Sequence, residues 1–403
     1  MEELRREIAA SIAQVEANLK VAEPTPEQLS RFMSNLSHRI EAILSNAGSQ
    51  LGELTKNTLL SCNWDCRLHR ILKNRSLEVH HCLESLRTLL ERLNAWVPEV
   101  VPKDEELKDI SLACNKLWEL DVNRVVPNIG YAINIQNGKT SWTEGDMAKD
   151  PLFQYVHEKV FEIPTFKFFI ALLDNYHSMT GETERMSSYQ LKEQDMFLKA
   201  VLETPCGQYL FNYLVHLKRV PSDHTAFLRI LKEVWFGLYR RKEYNDSSGF
   251  EHVFVGEVTD DKVIGMHNWI QIYFEEKKKH LDYLGYIKPK RKVQSLDKFS
   301  PSLQFITIQF TWHNHLKPES SSFIGTSPEF EFCLYSLVFF LGMEKAFVQC
   351  GPYRMLISAF RYTHKGREFI GSAYPECLPL DKDEAAIKIQ SIARRRFNKI
   401  RVY

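Results

Sequence analysis

The sequence predicts an α+β fold, with an all-α N-terminal region, a mixed domain after it and a basic helix at the end. Apolar residues recur at helical spacing through residues 1–100, which indicates amphipathic helices. Helical and alternating strand patterns are interleaved over residues 108–378, as is typical of an α+β domain. A charged segment with helical periodicity, residues 382–402, closes the sequence. The length of 403 residues also favours more than one domain.

The first hundred residues carry three apolar stripes. In the first, Ile8–Leu19, the apolar residues step by three and four positions and therefore share one helix face. Pro24 ends this helix, and further stripes span Leu29–Ile43 and Leu83–Val97. Three such helices predict a small bundle or a coiled-coil-like hairpin, and nothing in this region points to catalysis.

The mixed domain is preceded by a stretch with two prolines and a charged run, residues 98–108, for which we predict a linker. Inside the domain, a helical pattern begins at Pro164 and runs to Tyr176. Apolar and polar residues alternate in Ile306–Trp312, which predicts a strand with one buried face. We expect another strand at Phe369–Tyr374.

The composition is that of an ordinary globular protein, with 44% hydrophobic and 26% charged residues. The net charge is only +1, so any affinity for nucleic acid must come from local basic patches. No apolar run has the length of a membrane span, and the first residues show no secretory signal. We therefore expect a cytoplasmic protein that makes no membrane contact and whose 8 cysteines are reduced, with the nucleus as the alternative compartment.

Two histidines and a lysine stand in segments that could carry out RNA cleavage. His252 lies in Gly249–Glu257 and His267 in Gly265–Trp269. Cleavage by a ribose 2′-hydroxyl needs a base for that hydroxyl and an acid for the 5′-oxygen, and two imidazoles can serve as both. A cation must also hold the charge that develops on the phosphorane, and Lys317 is the candidate. A single histidine is more often an ordinary hydrogen-bonding residue, so the hypothesis depends on the three occurring together.

Taken in order, these segments resemble the EndoU family, the poly(U)-specific, XendoU-like endoribonucleases to which a coronaviral uridylate endonuclease is distantly similar. The resemblance begins near Asp109, includes Leu117–Arg124 and ends at Ala373–Pro375, so it covers the mixed domain and none of the first hundred residues. It implies an EndoU-like nuclease domain that cuts single-stranded RNA at uridines and leaves 2′,3′-cyclic phosphate and 5′-hydroxyl ends. It also implies dependence on, or stimulation by, a divalent metal, Mn²⁺ or alternatively Ca²⁺.

The resemblance also assigns residues. His252 and His267 match the catalytic histidines of the family and Lys317 matches its catalytic lysine. Glu251 and Glu257 match carboxylates that these enzymes need for activity, and we interpret them as groups that support the histidines or bind an ion.

Base recognition is assigned to Ser372 and Tyr374, which match a small hydroxyl residue and a tyrosine that recognise uridine. The family usually has threonine where this sequence has Ser372, but the hydroxyl is kept. Residues two apart on a strand project to the same side. A hydroxyl can then bond the pyrimidine edge while a phenol stacks on the base.

Local spacing suggests how the roles divide. On a flat strand, Glu251 and Glu257 would share one face and His252 would point to the other. Helical spacing after Met266 places His267 at a helix N-terminus, where the helix dipole disfavours imidazolium. We therefore predict that His267 is the base and His252 the acid.

Two other features have alternative interpretations. Zinc-type ligands occur at Cys62, Cys66, His69 and near His80, but their spacing fits no standard zinc module, and packed helix residues are the simpler interpretation. The basic and aromatic run 277–292 is either a solvated helix end or a contact to the RNA backbone.

The tail resembles an IQ motif, the helical docking site of calmodulin-type light chains. Ile389 and Gln390 are followed by Arg394, Arg395 and Lys399, and Arg395 stands where the motif usually has glycine. The sequence therefore predicts either a light-chain site over residues 385–400 or a basic amphipathic helix that packs on its own domain.

The function predicted is a uridylate-preferring endoribonuclease acting on single-stranded RNA. One competing hypothesis is a catalytically silent RNA-binding module, and another is a calmodulin-regulated scaffold. The intact set of His252, His267 and Lys317 favours the enzyme.

Overall fold

The computed structural model describes most of the mixed domain. The described stretches are residues 99–127, 130–143, 145–287 and 304–377. The predictions for the N-terminal helices, for packed helix residues at Cys62–Cys82 and for the tail at 382–402 concern residues outside these stretches and stay predictions. The domain boundaries given above also stay predictions.

Nearly all described residues belong to one compact unit, which comprises Glu99–Val156 and the described chain from Ile163 onward. The segment His157–Glu162 groups with a second unit and contains a short 3₁₀ helix, Glu158–Glu162. Within the first unit, helices alternate with strands, so the prediction of an α+β domain is confirmed.

Eight α-helices lie in the described stretches, and one of them runs through the centre of the domain. That helix, α8, begins with Ser327 as its N-cap and Pro328 as its first residue, a favourable start for a helix. It is buried on every side from Pro328 to Phe339, as expected of a core helix. The helices are α1 (Asp104–Lys108), α2 (Ile110–Leu120), α3 (Pro164–Leu172), α4 (Ser188–Glu203), α5 (Pro205–His216), α6 (His224–Phe236), α7 (Trp269–Lys277) and α8 (Pro328–Phe340).

The described strands form three sheets. The largest has six strands in the order β2-β6-β7-β8-β5-β4, the second has the order β11-β10-β9, and the third pairs β1 with β3. The strands are β1 (Tyr131–Ile133), β2 (Gly138–Lys139), β3 (Phe153–Val156), β4 (Glu257–Thr259), β5 (Lys262–Ile264), β6 (Leu281–Ile287), β7 (Phe305–Trp312), β8 (His315–Phe323), β9 (Lys345–Cys350), β10 (Tyr353–His364) and β11 (Arg367–Cys377).

Both predicted strands are present. The alternation in Ile306–Trp312 corresponds to β7, and the segment Phe369–Tyr374 lies within β11. Strand β7 joins β8 through His313 and Asn314, which both have positive φ (48° and 67°). Positive φ at both central residues is typical of the two-residue hairpin turn that matches strand twist.

The prediction of a linker over residues 98–108 is wrong in its second half. Asp104–Lys108 forms α1, and the side chain of Glu106 is buried. The hydroxyl of Tyr209 donates to the Glu106 carboxylate at 2.9 Å, and that of Tyr213 donates to the Glu106 carbonyl oxygen at 3.1 Å. The prolines and charges of this segment suggested a solvated linker, but Tyr209 and Tyr213 of α5 supply buried hydrogen-bond partners for Glu106.

The strand expected through Glu251 and Glu257 is also wrong. Glu251–Val255 forms a π-helical turn, and Glu257 begins β4. Phe250 and Phe254, four residues apart, both pack into the core with ring centroids 5.1 Å apart. Helical spacing of these two anchors, and not strand alternation, decides the local structure.

The basic run 277–292 is described only as far as residue 287. Lys277, Lys278 and Lys279 are exposed at the end of α7, which agrees with a solvated helix end, and β6 follows. No described helix combines the length and the apolar character needed to cross a membrane.

Candidate active site

His252 is presented by the π-helical turn, and two glycines bring the loop of His267 against it. Gly256, at φ 97°, donates its N–H to the carbonyl oxygen of Glu251 at 2.8 Å and ends the turn. Gly265 lies so close that a β-carbon there would be 1.7 Å from the His252 carbonyl oxygen. Since that space is free, the Met266 N–H can donate to the same oxygen at 3.1 Å.

His267 is held by three consecutive serines of β8. Its Nδ1 lies 3.1 Å from the carbonyl oxygen of Ser321. The hydroxyl of Ser320 donates to the Met266 carbonyl oxygen, and that of Ser322 donates to the His267 carbonyl oxygen. Because a carbonyl oxygen only accepts, Nδ1 of His267 carries the proton and Nε2 keeps its lone pair.

The predicted position of His267 is confirmed. Its neighbour Asn268 is the N-cap of α7, and the Asn268 side chain accepts from the N–H of Ile270 at 2.9 Å. Burial, the charge of Lys317 and the charge of His252 hold the pKa of His267 well below its usual range. The neutral imidazole that the helix terminus suggested is therefore favoured chiefly by burial.

Lys317 is buried within β8, the strand that follows the predicted strand β7. Burial lowers the pKa of its ammonium group to about 8. Its charge lowers the pKa of both His252 and His267, so the three groups are close enough to interact electrostatically.

Glu257 supports His252 directly. The carboxylate is fully buried, and its Oε2 lies 2.6 Å from Nδ1 of His252 and 3.2 Å from Nε of Arg241. Burial alone would raise the pKa of Glu257, but the hydrogen bond from His252 and the charge of Arg241 hold it below the usual value. Glu257 is thus an ionised acceptor that directs Nε2 of His252 away from itself.

Opposing influences act on the pKa of His252. Burial lowers its pKa, the hydrogen bond and charge of Glu257 raise it, and Arg241 and Lys317 lower it again. The net shift is downward. The Glu257 carboxylate nevertheless stabilises the imidazolium form of His252, and no carboxylate is among the groups that shift the pKa of His267.

Glu251 has a different environment from Glu257, although both are buried. Burial and the nearby charges of Glu257 and Glu184 raise the pKa of Glu251 well above its usual value. One of its oxygens, Oε2, has no hydrogen-bond partner in the described part of the chain. The opposite directions of the two shifts favour Glu257 as the carboxylate that carries the charge of the pair.

Ser372 and Tyr374 lie on one face of β11, as their spacing predicted. Both side chains are half-buried, and the intervening Ala373 is buried on the other face. The ring of Tyr374 stacks on His267, with centroids 4.9 Å apart and planes 23° apart. The phenol of Tyr374, from β11, and the imidazole of His267, from the loop before α7, therefore lie side by side.

The sequence did not point to Arg241. Its guanidinium lies between the Glu257 carboxylate and β11, where it donates to the carbonyl oxygen of Gly371 at 3.0 Å. It also donates to Ser247 and to the hydroxyl of Tyr239. Arg241 stands in a run of basic residues that looks like a solvated surface, so no local signal distinguished it.

The two carboxylates do not fit a metal centre by themselves. Glu251 Oε2 and Glu257 Oε1 are buried and unpartnered among the described residues, which would suit an ion. However, neither glutamate belongs to a group of three metal-ligating side chains in the stretches that the structure describes. The raised pKa of Glu251 also disfavours the ionised form that a metal requires.

The fold places this chain in a class of RNA-cleaving enzymes. A family model described as "Endoribonuclease XendoU" matches residues 109–375. The chain belongs to this endoribonuclease family, so the resemblance seen in the sequence is confirmed.

Relatives and a solved structure agree with this placement. The chain is 42% identical to "Uridylate-specific endoribonuclease B" of Danio rerio over 66% of this chain and 95% of that protein. It is 39% identical to "Poly(U)-specific endoribonuclease-B" of Xenopus laevis over 67% of this chain and 94% of that protein. A solved structure of XendoU, described as a splicing-independent snoRNA processing endoribonuclease, matches with TM-score 0.58 and 37% identity, covering 69% of this chain and 97% of the other.

Proposed function

We propose that this protein cuts single-stranded RNA at uridines by transesterification. The observation that carries the proposal is the cluster of His252, His267 and Lys317, in which the Nδ1 atoms of the two imidazoles have different hydrogen-bond partners, a carboxylate for His252 and a backbone carbonyl for His267. The names of the relatives in Danio rerio and Xenopus laevis support the preference for uridylate.

In the proposed reaction, Nε2 of His267 takes the proton of the ribose 2′-hydroxyl, and the 2′-oxygen forms a bond to the adjacent phosphorus. Nε2 of His252, whose Nδ1 is bonded to Glu257, gives its proton to the 5′-oxygen as the P–O5′ bond breaks. Lys317 compensates the charge on the non-bridging oxygens. The products are a 2′,3′-cyclic phosphate and a 5′-hydroxyl.

No step of this mechanism passes through a metal ion. Dependence on Mn²⁺ or Ca²⁺ stays a prediction from the family resemblance. The light-chain partner proposed for residues 385–400 and the cytoplasmic location stay predictions as well.

The pH dependence should reveal Lys317. Because its pKa is lowered to about 8, the ammonium is present below that pH and is lost above it. Loss of the proton from the proposed acid His252, and then loss of the Lys317 ammonium above about pH 8, should each lower kcat/KM by about tenfold per pH unit on the alkaline side. In Lys317→Arg the guanidinium stays charged, so the additional fall above about pH 8 should disappear while the limb due to His252 remains, even if the maximal rate is lower. Identical alkaline limbs in pH–rate profiles of the two proteins would exclude Lys317 as their origin.

Base preference should depend on β11. Tyr374→Ala removes the ring on which a base would stack, and we expect binding of a single-uridine oligonucleotide to weaken by about 1–3 kcal/mol. Ser372→Ala removes the hydroxyl that would bond the pyrimidine edge, so the ratio of cleavage at uridine to cleavage at cytidine should fall. Ser372→Thr, which restores the usual family residue, should keep the ratio.

The test compares two oligonucleotides that differ only in one uridine or one cytidine. Cleavage rates and binding are measured for the wild type and the three variants. If no variant changes affinity or base ratio, the base pocket lies elsewhere. If the wild type binds without cutting, the protein is an RNA-binding module and the proposed function is wrong.

A further inference from the structure

A second cluster of ligating side chains lies apart from the catalytic pocket, at the far end of α7. It consists of Glu275, His280 and His313. One ligating atom of each residue can be chosen so that all three lie within 4.8 Å of one another. No other group of three such side chains occurs in the described stretches.

The distances suit a small ion. Nδ1 of His280 lies 3.1 Å and Nε2 of His313 lies 3.9 Å from the same Oε2 of Glu275. Donors around a tetrahedral zinc ion are about 3.3 Å apart, given metal–ligand distances of about 2.0–2.2 Å. The side chain of His313 is 41% exposed, so an ion could reach it from solvent.

The backbone already holds the two imidazoles side by side. The N–H of His313 donates to the carbonyl oxygen of His280 at 2.9 Å, and the two rings have centroids 4.8 Å apart. His280 follows the end of α7, and His313 is in the hairpin turn between β7 and β8. The cluster therefore joins two elements whose relative position is already defined.

The carboxylate is also oriented in advance. Glu275 is buried, and Nε1 of Trp312 donates to its Oε2 at 2.8 Å. Lys278 donates to the other oxygen, Oε1, at 2.9 Å, but its side chain is 52% exposed and can move into solvent. A hydrogen-bonded carboxylate with two imidazoles is a ligand set that zinc and similar ions prefer, whereas Ca²⁺ and Mg²⁺ prefer oxygen ligands.

We propose that Glu275, His280 and His313 form a binding site for a divalent transition-metal ion, with water in the fourth position. The ion would connect the end of α7 to the β7–β8 hairpin. His267 precedes the other end of α7, and Lys317 lies four residues after His313, so the site would stabilise both elements that carry the catalytic groups. The catalytic pocket does not include this site.

The test uses the full chain, freed of metal with a chelator, and Zn²⁺ as the probe. Bound zinc is measured in competition with a chromophoric chelator of known affinity. His313→Asn removes the imidazole but keeps a residue that tolerates positive φ, so the turn should persist. His280→Gln serves as a second variant. We expect each to weaken one zinc equivalent by at least ~100-fold.

His177→Asn is the matched control. His177 also pairs with a carboxylate, that of Glu182 at 3.3 Å, but belongs to no three-ligand group in the described chain, so its zinc binding should equal that of the wild type. Cysteines and histidines before residue 99 could bind zinc too, so the result is the difference between wild type and variant.

Co²⁺ gives an independent readout. The wild-type-minus-variant absorption spectrum should show tetrahedral ligand-field bands and no thiolate charge-transfer band, because the proposed ligands contain no sulfur. The proposal is overturned if His313→Asn and His280→Gln both bind zinc like the wild type. A thiolate band in the difference spectrum would overturn it as well.

Discussion

Alanine at either His252 or His267 should lower kcat/KM for cleavage of a single-uridine RNA by at least ~100-fold, the usual scale of lost acid–base catalysis. Each substitution removes one proton-transfer group and leaves Glu257, Tyr374 and Lys317 in place. Both imidazoles are at most 8% exposed, so circular dichroism and thermal unfolding must show that each variant stays folded. A rate near that of the wild type in either variant would refute the assignment.

A substrate with a good leaving group can separate the two roles. Uridine 3′-(4-nitrophenyl phosphate) releases nitrophenolate, which needs no proton from an acid, but its 2′-hydroxyl still needs a base. His252→Ala should therefore regain much of its activity with this substrate, whereas His267→Ala should not. The opposite pattern would exchange the roles of acid and base. His177→Ala, a change at an exposed histidine outside the pocket, should behave like the wild type with both substrates.

Replacing the single uridine of a cleavable RNA with 2′-deoxyuridine should abolish cutting and leave binding. In the proposed mechanism the nucleophile is the 2′-hydroxyl, so its removal takes away the reaction. Contacts to phosphate and base remain, and affinity should change little. The measurement combines a binding titration with mass spectrometry of the products. The RNA should give a 2′,3′-cyclic phosphate end, and the deoxy substrate should stay intact.

A metal-activated water would give a different result. It would still hydrolyse the deoxy substrate and would leave no cyclic phosphate on the RNA. Cutting of the deoxy substrate at a comparable rate would therefore overturn the roles of both histidines, while the family membership and the preference for uridine could still hold. The proposed mechanism and the proposed preference for uridine can therefore fail separately.

The buried network around Arg241 explains why the pocket depends on distant parts of the chain. Arg241 links Glu257, and through it His252, to the carbonyl oxygen of Gly371, which precedes Ser372. The ring of Tyr374 in turn stacks on His267. The groups proposed to read the base and those proposed to move protons are therefore positioned together.

Several features could be predicted from the sequence because they depend on near neighbours. The alternation in Ile306–Trp312 indicated β7, and the apolar spacing after Met266 indicated the helix that follows His267. The order of short motifs indicated the family, and the spacing of Ser372 and Tyr374 placed both on one face of a strand. Local periodicity and motif spacing carry this information without any tertiary contact.

Other features were decided only by contacts between residues far apart in the sequence. Phe250 and Phe254 fit the aromatic core only from a helical turn, so Glu257 came to face His252 instead of lying on the opposite side of a strand. Burial, which no single segment reveals, made the pKa of Glu251 rise while hydrogen bonds held that of Glu257 low. The sequence by itself indicated His252, His267 and Lys317 as the groups proposed for catalysis, but it did not indicate Arg241. Tertiary structure alone decided their protonation, partners and directions, because desolvation and hydrogen bonding depend on what the rest of the chain places around each group.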